Sequence, residues 1–493
     1  MLTFYKSGAS STDKMTKCTV DTDGETHTSP SCRVLILGGG FGGTYAALEF
    51  ERIVAHRTDL EVTLVTLDNY FLFTPMLHEV AASDLEMSAI ISPLRKLLQR
   101  VKTFTGRIDV VKIGERKVVV VHGFDNHLHE LSYDHLILAL GSGTNFHGAA
   151  TIEKNALTIK TLDDAIELRN TLIRHLEDAN SECAADDRQP ALTFFVAGAG
   201  FAGVETIGAI NDFIRESICF YPNLKANRIR TLLISSEELI LPELGRKLGA
   251  YAQGKLSARG VEIITKAKVC RFRDGLLELS DGKKIPATLL IWAAGNAPNQ
   301  LIANLPIPKR DGRVEVNEYL QVPGFCGVWA LGDCASIPDG KNGFHPPTAQ
   351  HAIREGRCAA RNVVAEILGA KKKPLRFTTL GRLAVIGNRT GVANILGLNF
   401  SGFFAWWLWR TVYLFKLPRL EKKVRVAIDW TLDLCFARDF ACVMTGRSPT
   451  VLDHRIQDTS GNFSLLREKD RKDAIALFEG ESGALSLPTE NLN

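Results

Sequence analysis

The sequence predicts an α/β fold: two Rossmann-like dinucleotide-binding units, each with a parallel sheet, followed by a C-terminal region of different character. Two glycine-rich turns predict the units, because each turn follows an apolar run and precedes a helical segment and a second apolar run. The length supports more than one core, since 493 residues correspond to about three domains of ordinary size.

The composition argues against several classes of protein. The formal net charge of only +4 disfavours a nucleic-acid binder. Ten cysteines occur, but they form no C-x-x-C pair and lie with no histidines at zinc-ligand spacing. We therefore expect no nucleic-acid partner, no metal site and a reducing compartment.

The first glycine-rich turn, GGGFGG, begins at Gly38. Gly38 would form the tight turn, Gly40 would let a pyrophosphate approach the backbone, and Gly43 would let the helix pack closely on the strand. The helix would also offer the phosphates its unpaired N–H groups and the positive end of its dipole. The expected strand, turn, helix and second strand span residues 33–37, 38–43, 45–54 and 61–65.

The second turn, GAGFAG, has the same surroundings. Its strand, turn, helix and second strand are expected at residues 191–197, 198–203, 204–215 and 230–234. Two complete units in one chain imply two dinucleotides, or one dinucleotide and a vestigial site.

Both units lack the acid that usually ends the second strand and binds a ribose hydroxyl. In the first unit Thr66 holds this position and Asp68 follows, so either side chain could serve. In the second unit Ser235 holds it, and Glu237 could still reach the ribose. An acid at this position favours NADH, and its absence would tolerate NADPH. Because Glu237 could supply the acid, NADH is the expected substrate, and NADPH stays open.

A third motif follows a short apolar strand predicted at residues 328–331. Asp333 comes at its carboxyl end, in the sequence LGDCA. Alone, such an aspartate would be read as a turn or helix cap. Beside two dinucleotide fingerprints, it is better explained as the acceptor of a hydrogen bond from a flavin ribitol hydroxyl.

With these motifs the chain resembles the two-dinucleotide flavoproteins of the glutathione-reductase type, and among them the type II NADH:quinone oxidoreductases. The resemblance runs from about residue 33 to 444. It rests on the segments 38–43 (GGGFGG), 69–81 (NYFLFTPMLHEVA), 133–142 (YDHLILALGS), 160–170 (KTLDDAIELRN), 198–205 (GAGFAGVE), 292–299 (WAAGNAPN), 331–335 (LGDCA) and 346–356 (PPTAQHAIREG).

The resemblance implies non-covalent FAD, NADH or NADPH as the substrate, and two-electron reduction of a membrane quinone without proton pumping. The residues it places at FAD are Gly38, Gly40, Phe41, Gly42, Gly43, Thr66, Asp68, Pro75, Val110, Gly141, Asp333, Ala349 and Gln350. Those placed at the nicotinamide nucleotide are Gly198, Gly200, Phe201, Ala202, Gly203, Glu205, Ser235 and Gly295. Thr74-Pro75 and Ala349-Gln350 would line both the flavin ring and the quinone site, and Glu205 and Gln350 are the catalytic candidates.

Two of these assignments leave alternatives open. Glu205 is expected to handle protons, but an acid in the first turn of a helix could also be there for the dipole alone. Many family members have A-Q-x-x-x-Q at the quinone site, whereas this chain has Arg354 in place of the second glutamine. That departure leaves the electron acceptor and the quinone selectivity open.

The segment 394–417 is the most hydrophobic part of the chain and is rich in tryptophan and phenylalanine. Arg410 and Asn399 interrupt it, so a single spanning helix is not expected. Basic residues follow at 416, 419, 422, 423 and 425. Aromatic surface beside basic residues is typical of a helix in the membrane interface, so residues 394–425 are expected to contact lipid; the alternative is a buried dimer interface, and a homodimer is expected in either case.

The expected domains are a disordered tail (1–30), a discontinuous FAD domain (31–150 and 287–346), an NAD(P)H domain (151–286), a C-terminal membrane-anchoring and dimer region (347–445) and a polar tail (446–493). The expected location is the cytoplasmic face of the inner or cell membrane, as a peripheral protein. Two other functions stay open: a soluble FAD-dependent oxidoreductase with a non-quinone acceptor, and a membrane-bound nicotinamide sensor with little turnover.

Overall fold

The computed structural model describes residues 18–20, 26–28 and 32–442, except for 58, 182–191, 342, 388, 433–435 and 437–440. Within the segment expected to be a disordered tail, β1 (Cys18–Val20) pairs antiparallel with β2 (Thr26–Thr28). The rest of that tail and the polar tail from residue 446 lie outside the described residues.

The first nucleotide unit is built around a five-stranded parallel sheet. Its chain segment contains β3 (Cys32–Leu37), α1 (Phe41–Val54), β4 (Leu60–Thr66), β5 (Tyr70–Leu72), α2 (Leu77–Ala81), α3 (Met87–Ile90), β6 (Ile91–Pro93), α4 (Leu94–Leu97), β7 (Lys102–Thr105), β8 (Arg107–Lys112), β9 (Lys117–His122), β10 (His127–Ser132) and β11 (His135–Leu138). The central strand β3 is flanked by β4 and β11, as its almost continuous apolar sequence predicts for a strand covered on both faces.

The second unit repeats this plan. Its segment contains β12 (Ser142–Thr144), α5 (Ala150–Asn155), β13 (Leu157–Thr158), α6 (Leu162–Asn180), β14 (Leu192–Ala197), α7 (Phe201–Ser217), β15 (Ile229–Ile234), α8 (Gly245–Ala258), β16 (Val261–Ile264), β17 (Val269–Arg273), β18 (Leu276–Leu279), β19 (Lys284–Pro286), β20 (Leu289–Trp292) and β21 (Asn296–Pro298). The parallel sheet has the order β13-β20-β14-β15-β16, and all six residues of β14 are buried.

One expected domain boundary needs correction. The sequence placed residues from 287 onward in the FAD domain, but β20 pairs in parallel with β14 and therefore belongs to the second sheet. The crossing back to the first unit comes later, where β21 pairs antiparallel with β12. An apolar run such as LLIW fits either sheet, so the sequence pattern alone could not assign it.

The last segment closes the first sheet and adds a third layer. It contains α9 (Gln300–Asn304), β22 (Lys309–Arg310), β23 (Arg313–Glu315), β24 (Val328–Ala330), β25 (Ala335–Ser336), α10 (Ala349–Ile367), β26 (Gly381–Val385), β27 (Gly391–Ile395), β28 (Leu398–Gly402), α11 (Phe403–Lys416) and α12 (Leu420–Leu432). Strand β24 joins β11 at the edge of the first sheet, and α10 packs along α1. One large apolar core runs through both units and into this layer.

The hydrophobic segment 394–417 is only partly helical. Its first residues belong to the antiparallel sheet β26-β27-β28, and α11 follows. Among the described helices, none is both long enough and apolar enough to cross a membrane.

Candidate functional site

A cavity of about 1790 Å³ lies between the two nucleotide units and the third layer. Single-ligand pockets usually enclose roughly 300–1,000 Å³, so this space is large enough for more than one dinucleotide. Of the residues expected at FAD, those bordering the cavity are Gly40, Phe41, Gly42, Pro75, Gly141, Asp333, Ala349 and Gln350. Of those expected at the nicotinamide nucleotide, the bordering residues are Gly198, Gly200, Phe201, Ala202, Glu205, Ser235 and Gly295.

The first glycine turn has the geometry that a pyrophosphate needs. Gly38 has φ = +109°, which a side chain would strain, and its N–H donates to Val65 O at 2.8 Å. Gly40 precedes α1, and a Cβ built there would meet nothing within 4 Å. A Cβ at Gly43 would instead overlap the Gly38 carbonyl oxygen. Gly40 therefore leaves room for a ligand, whereas Gly43 permits close packing of helix and strand.

The second turn repeats these features. Gly198 has φ = +105° and donates its N–H to Ile234 O at 2.9 Å. Gly200 precedes α7, and a Cβ built there would meet only Glu243 Oε1, at 4.0 Å. A Cβ at Gly203 would overlap the Gly198 carbonyl oxygen. Both turns thus fit the phosphates of a dinucleotide at a helix N-terminus.

Asp333 follows β24 in a short 3₁₀ turn and borders the cavity. The Ser142 hydroxyl donates to Asp333 Oδ2 at 3.1 Å, and the Gly332 N–H next to it donates to Glu355 Oε2 at 2.8 Å. Glu355 is buried in α10, and this burial raises its pKa to about 7. The aspartate is thereby fixed at the cavity wall, where a ribitol hydroxyl could donate to its other oxygen.

Lys160 was not assigned a role from the sequence, although it begins the segment KTLDDAIELRN, which carries part of the family resemblance. Its ammonium donates to the backbone carbonyls of Ser142 and Gly143 in β12, and its backbone N–H donates to Asp164 Oδ2 at 2.7 Å. Partial burial lowers the pKa of Lys160, while Asp333 and Asp164 oppose that change. The lysine ties the strand that links the two units to the cavity wall.

Glu205 is the fifth residue of α7, and it lies on the buried side of this helix. The backbone N–H of Val385 and the indole N–H of Trp409 both donate to Oε1, at 3.3 and 3.2 Å. Burial raises the pKa of Glu205 to about 8, and the two hydrogen bonds oppose this rise. The first turn of α7 contains no acidic residue, so a role for Glu205 in the helix dipole alone is excluded.

His78 and Glu79 of α2 lie near this carboxyl. His78 Nδ1 is 3.9 Å from Glu205 Oε2, and the imidazole is almost completely buried. Burial lowers the pKa of His78 to about 3, so the ring is neutral at physiological pH. Glu79 Oε2 accepts a hydrogen bond of 3.1 Å from the indole N–H of Trp430. The sequence segment PMLHEVA contains both residues but gave no sign that the fold brings them to Glu205.

The far end of the cavity is formed by α10, β26 and α11. The Gln350 amide donates to Gly381 O at 3.2 Å. Arg354 does not border the cavity: its Nη1 donates to Gln350 O at 2.7 Å, and its guanidinium stacks 3.8 Å from the Phe377 ring centroid. Arg354, which replaces the second glutamine of the family motif, therefore holds the backbone of Gln350 from outside the cavity. Tyr413 and Lys416 of α11 also border this end and were missed from the sequence.

The two residues that could replace the ribose-binding acid of the second unit have different surroundings. Ser235 is buried, and its hydroxyl accepts a hydrogen bond from the backbone N–H of Glu237 at 3.1 Å. Glu237 borders the cavity, and its side chain is exposed. Glu238 makes long ion pairs with Arg246 and Lys266 and does not border the cavity.

Five residues expected at FAD do not border the cavity: Gly38, Gly43, Thr66, Asp68 and Val110. Thr66 is buried behind the first glycine turn, where a Cβ on Gly39 would overlap its hydroxyl oxygen. Asp68 and Val110 lie elsewhere on the first unit. The Thr66 hydroxyl packs against the turn, and its expected contact with a ribose stays a prediction.

No group of three or more His, Cys, Asp or Glu residues within the described ranges could hold a metal ion. The groups that border the cavity include glycine N–H donors, hydroxyls, single carboxylates and basic side chains such as Lys160 and Lys416, a set suited to nucleotide ligands.

Comparison with known proteins places these features in a family context. The family described as pyridine nucleotide-disulphide oxidoreductase matches residues 32–356, and the NDH2 C-terminal domain matches residues 380–439. A probable NADH dehydrogenase of Dictyostelium discoideum is 30% identical over 417 residues, covering 83% of this chain and 91% of the relative. A type II NADH:quinone oxidoreductase of Mycobacterium tuberculosis is 30% identical over 422 residues, covering 82% and 89%.

Solved structures agree on the fold. The NDH2 of Plasmodium falciparum, solved in complex with NADH, superposes with a TM-score of 0.77 at 22% identity, covering 83% of this chain and all of that one. The sulfide:quinone oxidoreductase of Aquifex aeolicus superposes with a TM-score of 0.60 at 17% identity, covering 84% and 93%. The α/β fold with two Rossmann-like units predicted from the glycine turns is confirmed.

Proposed function

The chain belongs to the type II NADH:quinone oxidoreductases, within the pyridine nucleotide-disulphide oxidoreductase family, and from this premise we propose its reaction. It is an FAD-dependent NAD(P)H:quinone oxidoreductase that does not pump protons. A hydride from the nicotinamide reduces FAD, and two electrons pass on to a membrane quinone. The observation that carries the proposal is the single cavity that borders both glycine turns and extends to Gln350, Tyr413 and Lys416.

The residues of the first unit fit FAD. The N–H groups at the start of α1 and the open side of Gly40 would hold the pyrophosphate, and Asp333 would accept from the ribitol. Thr74, Pro75 and Gln350 would line the ring. Bound there, FAD supplies the ability to take up a hydride and to give up two electrons.

The second unit would bind the nicotinamide nucleotide, and we propose that it prefers NADH. The Ser235 hydroxyl already accepts a hydrogen bond, whereas the Glu237 carboxylate is exposed at the cavity. Glu237 is therefore the acid that can accept from the ribose 2′-hydroxyl and repel a 2′-phosphate.

Replacing Glu237 tests this preference. Glu237→Ala should lower the ratio of kcat/KM for NADH to that for NADPH by about tenfold, the value of one hydrogen bond. Glu238→Ala is the matched control, because the neighbouring carboxylate does not border the cavity. An unchanged ratio in Glu237→Ala would assign the preference to other groups.

Glu205 is proposed as a proton donor to the acceptor. Reduction of a quinone to the quinol adds two electrons and two protons, and a buried carboxyl that stays protonated near neutral pH can supply one of these protons. Because Oε1 accepts two N–H donors, the acidic proton belongs on Oε2. Water that enters the cavity after the product leaves would restore it.

Two measurements test the reaction and this role. The purified yellow protein should oxidise NADH rapidly only when a short-chain quinone is present; reduction of FAD without reoxidation by quinone would indicate another acceptor, and negligible reduction would indicate a sensor. Glu205→Gln should lower quinone-dependent turnover about a hundredfold and leave the stopped-flow reduction of FAD by NADH unchanged. Glu153→Gln, on the exposed side of α5, serves as the control.

The membrane surface is proposed to be the outer side of α11 and α12. Exposed apolar side chains cover it: Phe403, Phe404, Trp407, Phe415, Leu420, Val424, Ile428 and Leu432. The last four repeat every fourth residue, so they share one face of α12. Of the basic cluster expected beside this surface, Lys422 is not available to lipid, because it is buried and its ammonium donates to Ser88 O.

Polar substitution of this surface separates membrane binding from folding. Removing α11 would take Trp409 out of the core, so we favour the triple variant Phe403→Ser, Trp407→Ser and Phe415→Ser. It should stay in the supernatant with lipid vesicles, while Phe124→Ser, at an exposed hairpin tip on the first unit, should sediment as the wild type does. Equal sedimentation of both variants would contradict the proposed surface. The homodimer and the cytoplasmic side stay predictions, for sedimentation equilibrium and protease protection to test.

A further inference from the structure

Helix α11 lies between the proposed membrane surface and the buried carboxyl of Glu205. Its outer face carries the exposed apolar residues Phe403, Trp407 and Phe415. Its inner face places Trp409, which is fully buried, against Glu205. The same four-turn helix therefore touches both the proposed membrane surface and the proposed proton donor.

The hydrogen bonds of Glu205 are unequal on its two oxygens. Oε1 accepts from Val385 N–H and Trp409 Nε1–H, whereas Oε2 lies 3.9 Å from His78 Nδ1, beyond hydrogen-bond distance. Two fixed N–H donors on one oxygen stabilise the negative charge that appears there when the other oxygen loses its proton. One of these donors is backbone, and only the indole belongs to α11.

We propose that Trp409 is a positioning residue for quinone reduction: its indole N–H stabilises the Glu205 carboxylate and so sets how readily Glu205 gives up its proton. This inference rests on the proposed function of Glu205. It goes further by assigning part of the reaction to Trp409 of α11, the helix whose outer face forms part of the proposed membrane surface.

The other groups around Glu205 do not replace the indole. From α2, neutral His78 cannot neutralise a carboxylate, and the charge of Glu79 opposes its ionisation. From α11, burial keeps Tyr413 protonated and Lys416 borders the same cavity. From β26, Arg382 also borders the cavity, but its guanidinium donates to Glu243 O. Within the described part of the chain, Trp409 is the side chain that donates a hydrogen bond to Glu205.

The test is the pH dependence of steady-state quinone reduction by the full-length holoenzyme with a water-soluble quinone. The wild type should lose activity as the pH rises through the pKa of Glu205, about 8. Trp409→Phe removes the N–H and keeps an aromatic ring. Because a hydrogen bond that favours the carboxylate is lost, this fall in activity at high pH, the alkaline limb of the pH–rate profile, should move up by about one pH unit. Turnover below the limb should fall roughly threefold, because a weaker acid donates more slowly.

The matched control is Trp406→Phe. Trp406 is also buried in α11, but its ring contacts Arg410 and makes no hydrogen bond to Glu205. Its alkaline limb should coincide with that of the wild type. FAD content and the rate of FAD reduction by NADH should be unchanged in both variants and show that both have folded. If Trp409→Phe does not fold, benzothienylalanine at position 409 retains the bicyclic shape and lacks only the N–H.

Each outcome bears on one claim. A limb that stays in place in Trp409→Phe, or that moves equally in Trp406→Phe, overturns the role of the indole. Glu205→Gln separates this failure from that of the proposed function: if this variant keeps the alkaline limb, Glu205 is not the proton donor. If Glu205→Gln loses the limb while Trp409→Phe leaves it unmoved, only the further inference fails.

Discussion

The buried carboxyl of Glu205 should make the stability of the protein depend on pH in a way that one substitution removes. In the folded state burial raises the pKa of Glu205 from 4.5 to about 8. The unfolded chain therefore ionises this group over a range in which the folded protein keeps it protonated. Stability from this group is then lost as the pH rises from the unfolded pKa to the folded pKa, and it is constant above that.

The size of the effect follows from this shift. One pKa unit corresponds to about 1.4 kcal/mol, and most of the interval between 4.5 and 8 lies between pH 5 and pH 8.5. The linked loss of unfolding free energy over that range is about 4 kcal/mol. For a chain of 493 residues the entropy of unfolding is about 1 kcal/mol per kelvin, so the loss corresponds to about 4 °C in Tm.

The assay compares the wild type with Glu205→Gln, whose amide does not titrate, by following the release of FAD on heating at pH 5 and at pH 8.5. Between pH 5 and pH 8.5 the Tm of the wild type should fall by about 4 °C more than the Tm of Glu205→Gln. The Tm of Glu153→Gln should change with pH as that of the wild type does, because Glu153 is exposed on α5. Equal pH dependence in wild type and Glu205→Gln would refute the claim that this carboxyl is buried and protonated.

Three further substitutions test other parts of the site. Asp333→Ala should lower the FAD content of the purified protein several-fold, as read from the ratio of flavin to protein absorbance, and full FAD occupancy in this variant would remove Asp333 from the site. Asp178→Ala, at an exposed position of α6, should leave the FAD content unchanged. Gly203→Ala should lower the unfolding free energy by about 3 kcal/mol, because its Cβ would overlap Gly198 O; Gly254→Ala, in open space on α8, should raise it slightly, and the same sign for both would contradict the close approach. Arg354→Gln should change kcat with quinone less than about threefold, because Arg354 stacks on Phe377 outside the cavity; a hundredfold loss would show direct contact with the acceptor.

The parts of the fold that the sequence predicts are those specified locally. The conformation of a glycine turn between an apolar strand and a helix is determined by residues that are close in sequence. The positive φ of Gly38 and the close approach at Gly43 both arise within one strand–turn–helix unit. The second turn is specified in the same way. These two patterns were sufficient to predict both parallel sheets.

The parts that the sequence did not predict depend on contacts between distant segments. Glu205 meets Trp409 across 204 positions, and Glu79 meets Trp430 across 351. No periodicity in either segment encodes such a pair. The same reason explains the misassigned β20, whose apolar residues are compatible with either sheet. The position of Thr66 at the end of β4 follows from the sequence, whereas the direction of its side chain depends on the turn packed against it.

Helix α12 has two apolar stripes that are both spaced four residues apart. Val426 and Trp430 face the protein, while Leu420, Val424, Ile428 and Leu432 face outward. The two stripes should therefore accept different spectra of substitutions in a saturation-mutagenesis screen. The outer positions need only a hydrophobic side chain, so leucine, isoleucine, valine and phenylalanine should exchange freely there. Inner positions must fit one fixed shape, and Trp430 must also keep its N–H for Glu79, so few residues should survive there.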